Sequence, residues 1–240
     1  MKAFPLFRHA VQPRASMRGL CTLALAAACL TGSILPTHAT ELTPDQRAAL
    51  LTEMQAIRDK QPGARAHFRE QKQSHLMKQP LISEGTVAFS SPDKFRREIT
   101  GESASLTVSD GKTLWIYYPN FQEAEKYTIG QRAFFDDSLS ALTAGMNFTH
   151  IEDFYKLNVY QEDGGYRFVL VPKKSNLKRL LQQLTIWLDK DYLLKKTEII
   201  MPSGDKSVTD YTGTERVALP VNTFTFNPPT GTRVTTPLGK

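Results

Sequence analysis

The feature that most constrains this chain is a long succession of short β-rich runs cut by turn residues. Residues 64–77, 85–90, 95–100, 104–109, 113–118 and 123–128 are rich in β-branched and aromatic side chains and are bounded by Gly, Pro, Asp and Ser. Residues 155–161, 166–171, 183–188, 192–201 and 206–213 continue the pattern. Asp110-Gly111 and Gly164-Gly165 predict tight hairpins with positive φ at both central positions. About eleven successive antiparallel strands follow, and a sheet of that length curls on itself rather than staying flat.

Three segments depart from the strand pattern. Thr43-Pro44-Asp45 is a helix start: a capping hydroxyl, a proline at the first helical position and an acid at the positive end of the dipole. Leu50, Leu51, Met54 and Ile57 then form one apolar stripe, and Gln61-Pro62-Gly63 stops the helix after about 15 residues. In residues 133–146, Phe134, Leu139, Leu142 and Met146 recur near helical spacing. Near the end, residues 219–226 lead into the rigid Asn227-Pro228-Pro229 turn.

The N-terminus carries Lys2, Arg8, Arg14 and Arg18 with no acid, then an apolar run over 20–35, then the small-residue site Thr37-His38-Ala39. That order is expected of a secretory signal peptide over 1–39, leaving a single domain over 40–240. Thr22, Thr31, Gly32 and Ser33 dilute the run below the ~20 apolar residues that a membrane anchor needs. Met17-Arg18 offers an alternative start. Leu25-Ala26-Ala27-Ala28-Cys29 offers an alternative lipoprotein signal, which would leave Cys29 acylated. The only two cysteines, Cys21 and Cys29, lie in the leader, so cleavage after Ala39 excludes disulfides and thiolate chemistry. Loss of the four leader cations lowers the net charge from +6 to +2, too little for a nucleic-acid footprint.

Catalytic signatures are missing from the mature sequence: there is no Gly-x-Ser-x-Gly elbow, phosphate loop, dinucleotide fingerprint or zinc helix. His67 and His75 fall on one predicted strand, roughly 26 Å apart and too far to share a metal, and His150 is remote in sequence. Asp136-Asp137 and Asp189-x-Asp191 sit where turns and helix ends favour Asp. Trp115, Tyr117, Phe168, Trp187, Phe224 and Phe226 are read as core, or as the wall of a pocket for a hydrophobic ligand. No enzyme activity, cofactor or metal is expected.

The patches Ser91-Pro92-Asp93-Lys94-Phe95-Arg96, Val108-Ser109-Asp110-Gly111-Lys112-Thr113-Leu114-Trp115-Ile116-Tyr117-Tyr118-Pro119, Phe168-Val169-Leu170-Val171-Pro172-Lys173 and Phe224-Thr225-Phe226-Asn227-Pro228-Pro229-Thr230-Gly231 carry a resemblance. In order and spacing the chain resembles the outer-membrane lipoprotein carrier family, LolA. The resemblance implies a mainly β (α+β) fold: a half-open antiparallel β-barrel of about eleven strands whose apolar face is closed by a helical lid. It implies a monomeric periplasmic carrier that takes acylated lipoprotein, or a related amphiphile, from an inner-membrane ABC release complex to an outer-membrane acceptor. The alternative is a periplasmic lipid-binding or sensor module built on the same barrel.

Phe68, Phe95, Leu139, Leu142 and Met146 are the expected cargo-cavity residues, the first two by analogy with the family's aromatic positions. Where the family commonly has arginine before the proline this chain has Ser91, and where it commonly has tryptophan this chain has Arg97. Adjacent strand residues point to opposite faces. Arg97 is therefore the expected inward lid latch, meeting lid carbonyls or the polar part of the cargo, and Arg96 points out.

Overall fold

The computed structural model describes residues 39–129 and 151–237. Residues 1–38 with both cysteines, the 133–146 segment with Leu139, Leu142 and Met146, the Asp136-Asp137 pair and His150 lie outside the described residues.

The described residues are organised around one open 13-stranded sheet. The described residues begin with a short β1 (Thr40–Glu41) and helix α1 (Pro44–Lys60). Thr43 caps α1 reciprocally: its Oγ1 accepts the Gln46 N–H while Gln46 Oε1 accepts the Thr43 N–H. Five hairpin-linked strands follow β2 (Gly63–Gln73), namely β3 (Leu81–Ser90), β4 (Lys94–Ile99), β5 (Ser105–Ser109), β6 (Thr113–Tyr118) and β7 (Glu123–Thr128). A single-turn α2 (Ile151–Phe154) leads into β8 (Tyr155–Glu162), β9 (Gly165–Pro172), α3 (Ser175–Lys178), β10 (Gln183–Leu188), β11 (Leu194–Ile200) and β12 (Lys206–Arg216). With a last short strand β13 (Arg233–Thr235), the order across the sheet is β1-β8-β9-β10-β11-β12-β2-β3-β4-β5-β6-β7-β13.

The two strands beyond the expected eleven are the shortest: β1, and β13 (Arg233–Thr235), which runs parallel to β7. Each covers part of a sheet edge, a task that leaves little mark in composition.

Several sequence expectations shift. Strand β2 ends at Gln73 rather than residue 77, so His75 lies in the following turn with its ring Nδ1 3.0 Å from Asp205 Oδ1. Of the Asp110-Gly111 pair only Gly111 has positive φ (90°), because Asp110 Oδ1 accepts the N–H groups of Lys112 and Thr113 and widens the turn. In the Gly164-Gly165 pair only Gly165 is in that region (φ 138°); it already pairs with Glu162, and a Cβ there would sit 2.1 Å from the Leu188 carbonyl oxygen. Tyr192, expected in β11, lies in the preceding turn at φ 59°.

Direct strand partners share a face, so one face can be followed across the sheet: Phe168, Ile186, Thr197, Thr209, Glu70 and Ser83 are successive partners. Leu50 and Met54 of α1 pack on this face against Leu157, Val159, Phe168, Leu170, Leu184 and Ile186, forming the main core. We call it the inner face.

Candidate functional site

Beyond the half that α1 covers, the inner face remains apolar. Ala66, Phe68 and Val87 form a second buried cluster, with Phe89, Phe95, Ile99 and Tyr211 half-buried against it. The Phe89 and Phe95 rings stack with centroids 5.9 Å apart. The register extends the surface through Ser109 and Leu114 and through Thr107 and Ile116 onto β5 and β6. Phe68 and Phe95 therefore share one wall.

One charged pair interrupts this wall. Arg97 is in register with Val87 and Thr107 and so points inward, whereas Arg96, opposite Ala88 and Val108, points outward and donates to Glu98. The Arg97 guanidinium lies 4.2 Å from the Phe68 ring centroid and donates to Glu70 Oε2 at 2.8 Å. The Ser207 hydroxyl donates to the other carboxylate oxygen at 2.8 Å, and Lys72 Nζ is 3.4 Å from Oε2. Burial pushes the Glu70 carboxyl up, but Arg97, Lys72 and the Ser207 hydroxyl outweigh it and hold Glu70 below its ordinary value. The described partner of Arg97 is thus a carboxylate two strands away, a contact no local sequence signal announces. Contacts with residues 133–146 lie outside the described residues.

Where α1 runs into β2, a pocket of about 90 Å³ opens between Met54, Arg58, Ala66, Phe89, Leu188 and Arg216. It shares Ala66 and Phe89 with the apolar wall. Among the described residues, no group of three or more His, Asp or Glu side chains is arranged to hold a metal.

The aromatic residues divide by face. Phe168 is fully buried in the inner core. Trp115 and Tyr117 lie on the outer face with Val108, where Phe226 meets their rings at 5.7 and 5.2 Å. The terminal stretch with the 3-10 turn Val221–Phe224 buries Phe224. Trp187 is also outward, beneath Lys196 Nζ at 5.2 Å. Of the six aromatics read as core or pocket wall, only Phe168 lies in the inner core.

The family model for the outer membrane lipoprotein carrier protein LolA matches residues 60–227. The chain belongs to the LolA family. It is 31% identical over 151 residues to an outer-membrane lipoprotein carrier protein of Chromobacterium violaceum, covering 62% of this chain and 70% of that one. It is 28% identical over 155 residues to the protein of that name from Salmonella paratyphi B, covering 63% and 70% respectively. Among solved structures, a LolA superfamily protein from Nitrosomonas europaea aligns with a TM-score of 0.41 at 14% identity, covering 75% of this chain and 97% of that one.

The four patches that carry the LolA likeness serve different structural tasks. Ser91-to-Arg96 forms the β3–β4 turn and the start of β4, and Val108-to-Pro119 spans the β5–β6 hairpin. Phe168-to-Lys173 supplies the core strand β9, and Phe224-to-Gly231 is the outer strap. Glu70 and Ser207 lie in none of these patches, and only their hydrogen bonding in the folded sheet draws attention to them.

Proposed function

We propose that this LolA-family chain is a periplasmic carrier that shields the acyl chains of lipoproteins, or of a related amphiphile, and moves them from the inner to the outer membrane. The observation that carries this reading is the apolar inner face continuing past the helix-covered core onto β2–β6, where Phe89, Phe95, Ile99 and Ile116 stay half-exposed. Moving an acyl chain through water exposes about 0.8 kcal/mol per CH₂, so a carrier needs such a wall. It also has to release its cargo, which a loosely covered wall permits.

In this reading Phe68 and Phe95 line the cargo site with Leu139, Leu142 and Met146, and Arg97 is the polar latch. Residues 1–39 export the chain and are cleaved, and 40–240 act as one monomeric domain. An inner-membrane ABC complex loads the cargo, an outer-membrane acceptor receives it, and no cofactor or hydrolysis is involved. The test is transfer of a labelled triacylated lipoprotein from inner-membrane vesicles to acceptor membranes. Addition of the purified protein is expected to release the lipoprotein into solution as a one-to-one complex and then deliver it. No soluble complex would refute the proposal.

A further inference from the structure

We infer that the end of the sheet formed by the β2–β3 and β11–β12 turns is a docking tip for the surface of a bilayer that contains anionic phospholipid. Among the described residues nine large apolar side chains are exposed, and five of them gather here: Leu76 and Met77 in the β2–β3 turn, Leu81 and Ile82 at the start of β3, and Met201 in the β11–β12 turn. Leu76 is 83% exposed and the other four between 36% and 46%. Apolar groups scattered singly over a surface are ordinary, whereas a cluster marks a place where a partner or a membrane displaces water.

Asp205 ties the two turns into one unit. Its Oδ1 accepts the His75 N–H at 3.3 Å and lies 3.0 Å from His75 Nδ1, while its carbonyl accepts the Met201 N–H at 2.9 Å. The β2–β3 turn also bonds its own backbone, since the Ser74 hydroxyl accepts the Leu76 N–H and the Ser74 carbonyl accepts the Met77 N–H. A turn whose amides are already bonded leaves less polar backbone to strip of water when it enters a lipid interface.

Geometry and charge select the occupant. Leu81 is in register with Lys72 and points to the inner face, whereas Ile82, opposite Gln71, points to the outer face. The end of the hairpin is therefore apolar on both sides. A protein partner covers one face, but a lipid interface surrounds the whole tip. Residues 71–83 also lack the Trp, Tyr and Arg that anchor protein interfaces. The same stretch carries Lys72 and Lys78 and no acid. The acids on the flanking strands already face cations: Glu70 meets Arg97 and Lys72, Glu84 meets Arg69, Glu198 meets Lys206, and Asp205 meets His75. Lys78, exposed in the turn beside Met77, then adds positive charge to the tip. An apolar tip with a net cation suits an anionic headgroup layer over an apolar interior.

The test is flotation of the purified protein with vesicles of phosphatidylcholine, alone or mixed with phosphatidylglycerol. Binding to the anionic vesicles is expected to be about fivefold tighter than to the neutral ones, the effect of one lysine at such a surface. The double variant Leu76→Gln/Met77→Gln should weaken binding by about tenfold or more, and Lys78→Gln should remove most of the anionic preference. Phe121→Gln, which replaces an apolar group 74% exposed elsewhere in the chain, should bind like the unmodified protein. Leu76 and Met77 are exposed, so the double variant keeps its urea midpoint, which separates lost docking from lost folding. No binding to either vesicle, equal binding to both, or binding indifferent to the double variant overturns the docking tip. Self-association that the double variant abolishes, without vesicle binding, assigns the tip to a second copy of the chain and overturns it as well. Loss of lipoprotein delivery in the double variant, again without vesicle binding, assigns it to a protein partner with the same consequence. The carrier reading is scored separately by the soluble lipoprotein complex, which forms whether or not the tip docks.

Discussion

Arg97 and Glu70 show how far a single position can be read from sequence. Strand alternation alone assigns Arg97 to one face and Arg96 to the other, and family likeness picks the inner face for Arg97. Its partner is not legible, because Glu70 is 27 residues away on β2 with β3 between the two strands. From sequence alone Arg97→Leu is expected to leave the fold intact. The structure changes that expectation, because the substitution removes the closest charged partner of a carboxylate whose side chain is only 11% exposed, leaving it the Ser207 hydroxyl and Lys72. Breaking one side of such a pair costs about 3–5 kcal/mol. Urea unfolding should therefore show Arg97→Leu strongly destabilised, Arg96→Leu nearly unchanged and the double variant Glu70→Leu/Arg97→Leu recovering much of the loss. The pair also sets a pH dependence. Glu70 has a folded value below its ordinary 4.5, so its contribution is present above that pH and disappears as pH falls through the folded value. Unfolding measured from pH 6 downward should show stability lost below about pH 4.5, with a smaller loss in Glu70→Gln.

At the scale of elements, the sequence is most legible where a local rule decides. The α1 start, with Thr43 as cap and Pro44 in the first turn, matches the expectation, and β6, β7 and β10 have the predicted bounds. Thr43→Ala should lower stability by about 0.5–2 kcal/mol. Legibility fails where a distant strand decides. Gly164 and Gly165 look equivalent in sequence, yet only Gly165 combines φ 138° with the Leu188 carbonyl 2.1 Å from where a Cβ would sit. Around Gly164 the nearest group is the flexible Lys195 ammonium at 3.9 Å. Gly165→Ala is thus expected to cost more than about 1–3 kcal/mol through overpacking and backbone strain. Gly164→Ala should be close to neutral. Denaturant midpoints of the two variants would separate them, and equal midpoints would mean that the β9–β10 approach relaxes freely.

Across the whole molecule, the inner face does two kinds of work on one continuous sheet. The β8–β10 half is closed by α1 and contains side chains with essentially no exposure, Phe168 and Ile186 among them. On β3 and β4, Phe89 and Phe95 keep partial exposure, and the charged Arg97–Glu70 pair sits among the apolar groups. Periodicity in the sequence marks both halves as apolar without distinguishing them, because period-two alternation reports the face of a strand and not what lies over it. That is also why Trp115 and Tyr117 read as core: their outer face is apolar too, but the terminal strap covers it. The division predicts opposite outcomes for two substitutions of the same chemical kind. Phe168→Ala opens a cavity in a sealed core and should cost about 3–5 kcal/mol in urea unfolding, while any protein that stays folded keeps its affinity for an alkyl ligand. Phe95→Ala removes a ring that is already partly exposed, so less surface leaves a packed environment and the loss of stability should be clearly smaller. Dodecyl maltoside should nevertheless bind this variant several-fold more weakly, since about 1 kcal/mol of lost apolar contact is a factor of roughly five. If Phe95→Ala proves as destabilising as Phe168→Ala while ligand affinity is unchanged, the β3–β4 wall is ordinary core and the cargo surface lies elsewhere on the sheet.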